Sequence, residues 1–136
     1  MDLEEMNKSV IAEFRENSGK VGGNFAGIPI LLLTTTGAKS GIRRTKPLAY
    51  LPDGDRYLVI ASFAGAPNNP PWYHNLLSDP AAEIEVGIDR FQVRPEILNE
   101  PERTRAYARA VAAMPVFEEY QRKTPRTIPV VALSRL

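Results

Sequence analysis

Between Thr34 and Tyr50 the chain sets four cations, Lys39, Arg43, Arg44 and Lys46, beside the threonines Thr34, Thr35 and Thr36 and the glycines Gly37 and Gly41. These residue types suit an anion. Glycine accepts positive φ, so a turn closed at Gly37 and Gly41 lets backbone N–H groups converge on a point that the cations surround. At about 4 Å and an effective dielectric near 20, one cation–phosphate pair contributes roughly 4 kcal/mol before desolvation. Taken alone, the same letters also describe a basic hairpin that is merely solvated. In an extended strand Ile42, Arg44, Lys46 and Leu48 share one face and Arg43, Thr45 and Pro47 the other, so at least one cation faces the cleft side. A P-loop is excluded, because that motif needs Gly-Lys-Ser/Thr contiguous and here Ala38 separates Gly37 from Lys39.

The rest of the inventory offers little direct catalysis. There is no cysteine and a single histidine, His74, so a thiolate nucleophile is excluded and no metal site is expected. No Gly-x-Ser-x-Gly elbow accompanies His74. The acid pairs Glu83/Glu85 and Glu118/Glu119 read as exposed strand and helix faces. With no evident nucleophile, acid–base pair or metal, catalysis would be borrowed from a bound cofactor held by its phosphate at the hairpin. Ser62, Trp72, Tyr73, Phe117 and Tyr120 offer hydroxyls and stacking surfaces for a planar ligand, although each aromatic alone is equally a core residue.

The elements that must position these groups are legible from periodicity. The 136 residues form one domain, residues 1–136, of ordinary composition, 43% hydrophobic and 24% charged. A net charge of +1 argues against nucleic-acid binding. Leu3, Met6, Val10, Ile11 and Phe14 predict an amphipathic helix over 2–17 with Gly19 as its C-cap, the helical segment 1–19 preceding a barrel over 28–136. Its acidic character favours packing on the domain over lying on anionic lipid. Residues 20–27 read as a glycine-rich loop. Strands are expected over 30–36, 42–51, 56–62, 83–86, 90–98 and 127–133. Helices are expected over 72–77, with Asn69 as its cap, over 101–114 and over 116–123. The fold class is therefore α+β, mainly β: about six mostly antiparallel strands in a small barrel with an N-terminal helix and inserted short helices. The longest apolar run, Ile28 to Leu33, is interrupted by Pro29 and is too short to span a bilayer.

Four segments, Leu32 to Leu48, Ala61-Ser62, Asn69-Pro70-Pro71-Trp72-Tyr73-His74-Asn75-Leu76 and Arg126-Thr127-Ile128-Pro129-Val130-Val131, resemble the deazaflavin-dependent nitroreductase family in order along nearly the whole chain. The resemblance implies a split β-barrel that binds coenzyme F420, an 8-hydroxy-5-deazaflavin with a phosphodiester and an oligoglutamate tail, typical of actinobacteria. By that likeness Lys39, Ser40 and Arg44 hold phosphate and tail, with Lys46 beside them, and Pro47 and Leu48 border the ring. Ala61 and Ser62 match the strand end beside the deazaflavin, Ala64, Gly65 and Ala66 the loop over it, and Trp72 and Asn75 the helix that closes the pocket. Met114, Phe117 and Tyr120 stand where nitroimidazole-activating members carry pocket tyrosines. Phe63 replaces a basic residue of some members, and Ala49 an aromatic one.

The expected activity is thus hydride transfer from reduced F420 to an electron-poor planar acceptor, such as a coumarin-like enone or lactone, a quinone or a nitroaromatic, with Ser62 and Tyr120 as catalytic hydrogen-bonding groups. Two alternatives remain open: an FMN-binding oxidoreductase on the same barrel, and a non-catalytic carrier of F420. The expected partner is a small-molecule acceptor, with the protein a monomer or homodimer. The expected location is the cytoplasm, with attachment at the inner face of the membrane left open for a quinone acceptor.

Overall fold

The computed structural model describes residues 3–23 and 27–136. Asp2 of the expected helix and Asn24, Phe25 and Ala26 of the expected loop lie outside them. Strands β1 (Ile30–Thr36), β2 (Arg43–Asp53), β3 (Arg56–Ile60), β4 (Ala82–Val86), β5 (Asp89–Ile97) and β6 (Val130–Arg135) close into an antiparallel barrel in the order β1-β2-β3-β6-β5-β4. Closure pairs every strand on both sides and leaves no open edge. Among the described residues four helices decorate it: α1 (Leu3–Glu16), α2 (Pro71–Ser78), α3 (Glu102–Ala113) and α4 (Val116–Lys123).

The apolar run in β1 is continuous because both of its faces are covered. Leu31 and Leu33 point into the barrel with Val59, Ile84, Val93, Val131 and Leu133, while Ile30 and Leu32 lie outside under Phe14 of α1. Leu58 and Ile60 of β3 and Val130 and Ala132 of β6 likewise turn outward, against Tyr107 and Ala110 of α3 and Phe117 of α4. Phe14 is fully buried, and burial of such a side chain contributes about 1.5–3 kcal/mol. The helix is thereby committed to the barrel along that side.

The end of α1 explains a glycine. The N–H groups of Asn17 and Gly19 donate to the carbonyls of Glu13 (3.0 Å) and Phe14 (2.8 Å), with Ser18 in the left-handed region at φ 57°. Gly19 follows at φ 93°, and a Cβ there would lie 2.5 Å from Gly87 Cα in the β4–β5 turn. Arg56, in β3, pairs with Asp53 and Glu102, and Arg109 pairs with Asp53 at 2.8 Å, tying the β2–β3 turn to α3.

Three expected details differ. β3 ends at Ile60 rather than at Ser62, which takes helical backbone (φ −74°, ψ −40°) ahead of the turn over Phe63–Gly65. β6 begins at Val130 rather than Thr127, because Ile128 donates its N–H to Gln121 Oε1 (3.1 Å) instead of to a strand. Asn69 does not cap α2: Pro70 occupies the cap position without a side-chain bond, and Asn69 Oδ1 accepts from Arg126 at 2.6 Å.

Candidate functional site

The β1–β2 turn is closed from within. Gly37 N–H donates to Ile42 O (2.8 Å), Gly41 N–H to Gly37 O (2.9 Å) and Ile42 N–H to Ser40 Oγ (3.1 Å). Ala38 N–H donates to Asn75 Oδ1 (2.9 Å), and Asn75 Nδ2 donates in turn to Thr35 Oγ1 (3.0 Å). Four of the turn's N–H groups are thus engaged, which corrects the expectation of a general convergence: among the described residues only those of Lys39 and Ser40 lack an acceptor within the turn. A Cβ at Gly37 would approach Ser40 Oγ to 2.5 Å, so any side chain there would displace the hydroxyl that accepts from Ile42 N–H. Asn75 is a buried clip between α2 and this turn, with both ends of its amide occupied.

Beside the turn opens a cleft of about 410 Å³, lined by Lys39, Ser40 and Arg44 and, from the α2 side, by Asn69, His74 and Asn75. The hairpin cations divide as the alternation requires. Arg43 turns away and donates to Thr36 Oγ1 (3.1 Å) and Ala81 O (3.4 Å), with Glu83 at 3.8 Å. Thr45 also faces that way and shares a hydrogen bond with Thr34 at 2.7 Å. Lys39, Arg44 and Lys46 have no ion pair among the described residues.

A second cleft, of about 390 Å³, adjoins the first at Phe63 and Pro71. Its walls are Lys46, Pro47 and Leu48 of β2, Ser62 to Ala64 after β3, Trp72 of α2, Tyr120 of α4 and Asn7 of α1. Trp72 and Ser62 are buried, and the Tyr120 ring stands edge-on to Phe117 at 6.0 Å with Lys123 Nζ 5.9 Å from its centroid. The wall after β3 is a single 3-10 turn, Phe63–Gly65, in which Phe63 and Ala64 take φ values of 48° and 54°. Left-handed backbone in residues other than glycine is strained and needs outside support.

The structure brings most of the expected residues to one or other of these clefts. Lys39, Ser40, Arg44 and Asn75 meet at the first cleft, and Lys46, Pro47, Leu48, Ser62, Ala64, Trp72 and Tyr120 at the second. Five proposed residues line neither. Ala61 is buried among barrel side chains, Ala66 presents its carbonyl to Arg126, and Gly65 packs so tightly on α4 that a Cβ would lie 2.9 Å from Tyr120 O. Phe117 is buried under α3 with its carbonyl accepting from Tyr107 OH at 2.6 Å, and Met114 packs on the same cluster. Sequence reasoning missed Asn7, Phe63, His74 and Arg126. The last stands in the quoted Arg-Thr-Ile-Pro segment, which was the available signal. Among the described residues no three His, Asp or Glu side chains gather in a way that could hold a metal.

An unengaged cationic cleft continuous with a partly apolar, aromatic-walled one suits a ligand with an anionic tail and a planar head. Coenzyme F420 has that shape. The family model for F420H(2)-dependent quinone reductase matches residues 6–135. An F420H(2)-dependent quinone reductase of Mycobacterium tuberculosis (strain ATCC 25618 / H37Rv) is 42% identical over 132 residues, covering 91% of this chain and 86% of that protein. Among solved structures, an F420-H2 dependent reductase (FDR-A) superposes with a TM-score of 0.71 at 38% identity, covering 78% of this chain and 94% of its own. A chain described as a domain-swapped dimer superposes with a TM-score of 0.73 at 34% identity, covering 97% of this chain and 96% of its own. The protein belongs to the F420H(2)-dependent quinone reductase family. It is an oxidoreductase whose cofactor is coenzyme F420.

Proposed function

We propose that the chain reduces a quinone-type acceptor, with the phosphodiester and glutamate tail of F420 gripped by Lys39, Ser40 and Arg44 and the deazaflavin seated between Pro47, Leu48, Ser62 and Trp72. The observation that carries this reading is that the three cations bordering the joined clefts have no ion pair among the described residues, whereas Arg43 on the opposite face is engaged. When bound, F420H2 supplies a hydride from C5 of the reduced ring. The protein's part is placement. Ser62 and Tyr120 hold hydroxyls at the cleft wall, where they can donate to an acceptor oxygen that gains charge. Reduction of a quinone to its hydroquinone consumes one proton besides the hydride, supplied by solvent or by Tyr120. The second cleft is partly open, so flat enones, lactones and nitroaromatics also fit the proposed specificity.

No helix among the described residues is long and apolar enough to cross a membrane. Burial of Phe14 against the barrel supports α1 as a part of the domain, with Asn7 at the cleft, rather than as a lipid anchor. A homodimer is the preferred assembly, in view of the relative described as domain-swapped.

The test is anaerobic titration with F420, followed by F420H2 oxidation with menadione, a coumarin and a nitroaromatic. Saturable F420 binding and quinone turnover are expected. Tight FMN binding without F420 binding would establish the FMN alternative, and F420 binding without oxidation across the acceptor panel would establish a carrier.

A further inference from the structure

Arg126 lines neither cleft, yet its guanidinium is committed entirely to the cleft wall. Nε donates to Ala66 O (2.9 Å), Nη1 to Ala61 O (3.2 Å) and Asn69 Oδ1 (2.6 Å), and Nη2 to Ser62 O (2.8 Å). No carboxylate pairs with it among the described residues. Burial, the larger influence, pushes it below the ordinary guanidinium range, with the Tyr107 phenol acting weakly the other way. A partly buried guanidinium with no counter-ion is held here by four carbonyl and amide oxygens of the cleft wall.

What it organises is the direction of two peptide groups. In a trans peptide the C=O of one residue and the N–H of the next point in opposite directions. Arg126 draws the carbonyls of Ala61 and Ser62 toward itself, so the N–H groups of Ser62 and Phe63 point away from it. Ser62, Phe63 and Ala64 line the second cleft, whereas Arg126 does not. Neither N–H has an acceptor among the described residues. Phe63 and Ala64 take left-handed φ values in this turn, and the same guanidinium braces it at Ala66. A cation bound to the carbonyl end of a peptide also polarises its N–H into a stronger donor.

We propose that Arg126 is a positioning residue that aims the Ser62 and Phe63 N–H groups into the second cleft as a donor pair for a carbonyl edge of the deazaflavin ring. The inference rests on the proposed seating of F420, and it assigns Arg126 to the ring, not to the phosphate or tail. Lysine replaces it only in part, because an ammonium lacks the planar fork of five donors that lets one guanidinium hold four acceptors.

The experiment compares binding of full F420 with that of its tail-less core, 8-hydroxy-5-deazariboflavin, by tryptophan quenching, and records the absorption maximum of each bound chromophore. Arg126→Gln is expected to weaken both ligands by the same factor, about tenfold or more, and to shift the bound absorption toward that of free chromophore. Arg126→Lys is expected to fall between parent and Gln variant. Lys39→Ala should weaken F420 alone. A merely structural role would lower the melting temperature of Arg126→Gln while leaving core affinity and absorption maximum at parental values in the folded fraction, and that result overturns the proposal. If Arg126→Gln does not fold, Asn69→Ala decides: it frees one of the four donors and should weaken the core ligand by roughly two- to fivefold, and unchanged core affinity overturns the proposal. A parent protein that binds neither ligand would instead sink the F420 seating itself.

Discussion

Removing Arg44 and removing Arg43 should have unequal consequences, although the two are adjacent and carry the same charge. Arg44 lines the cleft with no ion pair among the described residues, and a charge-assisted hydrogen bond from it to phosphate or tail carboxylate is worth about 1–3 kcal/mol. Arg44→Ala should therefore raise the dissociation constant of F420 by roughly 5- to 150-fold at low salt. Arg43 is held by Thr36, Ala81 and Glu83 on the other face. Its charge reaches the tail only through solvent, where separations beyond about 10 Å are screened at 0.1 M salt. Arg43→Ala should change affinity by less than about 0.5 kcal/mol, roughly a factor of two. The assay is fluorescence titration of F420 at two ionic strengths, with the tail-less deazaflavin as a control that should be insensitive to both substitutions and to salt. Equal losses in the two variants would mean that only the net charge of the hairpin matters, and no loss in Arg44→Ala would mean that the tail lies elsewhere.

Gly19→Ala should lower stability by about 1–3 kcal/mol, read as a fall in melting temperature, because φ is 93° and the new Cβ would meet Gly87 Cα. Asn75→Leu should lower F420 affinity without touching any charge, because loss of its bonds to Ala38 and Thr35 releases the turn that carries Lys39 and Ser40; unchanged affinity would show that the turn holds itself. Hydrogen bonds from Arg56 first, and then Arg109, hold the Asp53 carboxyl below its ordinary pKa. A depressed carboxylate contributes stability above its unfolded pKa and loses it as pH falls through the folded value. The stability gap between parent and Asp53→Asn, measured by urea unfolding, should accordingly be widest at neutral pH and narrow below about pH 4; a gap independent of pH would refute the assignment. Tyr120→Phe should alter quinone turnover more than F420 affinity, and an unchanged rate would remove its hydroxyl from the chemistry.

Much of this architecture follows from local signals. Alternation and turn residues locate the six strands to within a few positions, and the pattern across Arg43, Arg44 and Lys46 distinguishes the face that keeps its charges free. What escaped detection depends on partners distant in the chain. Asn69 has the composition of a helix cap, but Arg126, 57 residues later, claims its oxygen. The glycine-rich turn has the composition of an anion nest, but Asn75 takes one of its N–H groups from across the α2 interface. Phe117 and Tyr120 lie three apart and share a helix face. Only the packing of Tyr107 against α4 decides that Phe117 is interior while Tyr120 reaches the cleft.

The two ends of the site face opposite physical demands, and the chain meets them with different means. In the proposed seating the tail end must attract a polyanion from water, and its cations have no ion pair among the described residues, while its shape is fixed indirectly by the Asn75 clip. The proposed ring end must present directional donors to a planar molecule, which requires backbone held tightly. Gly65, at φ 79°, lets the turn after β3 press against Tyr120 O and Lys123 Cβ of α4, while Arg126 fastens the same turn from behind. The outer faces of β3 and β6 bury Phe117 and so dock α4 where that contact forms. Tyr120 and the 62–64 wall are thus set relative to one another by backbone contact rather than by flexible side chains. A site built this way is formed before its ligand arrives, so binding energy need not be used to order it.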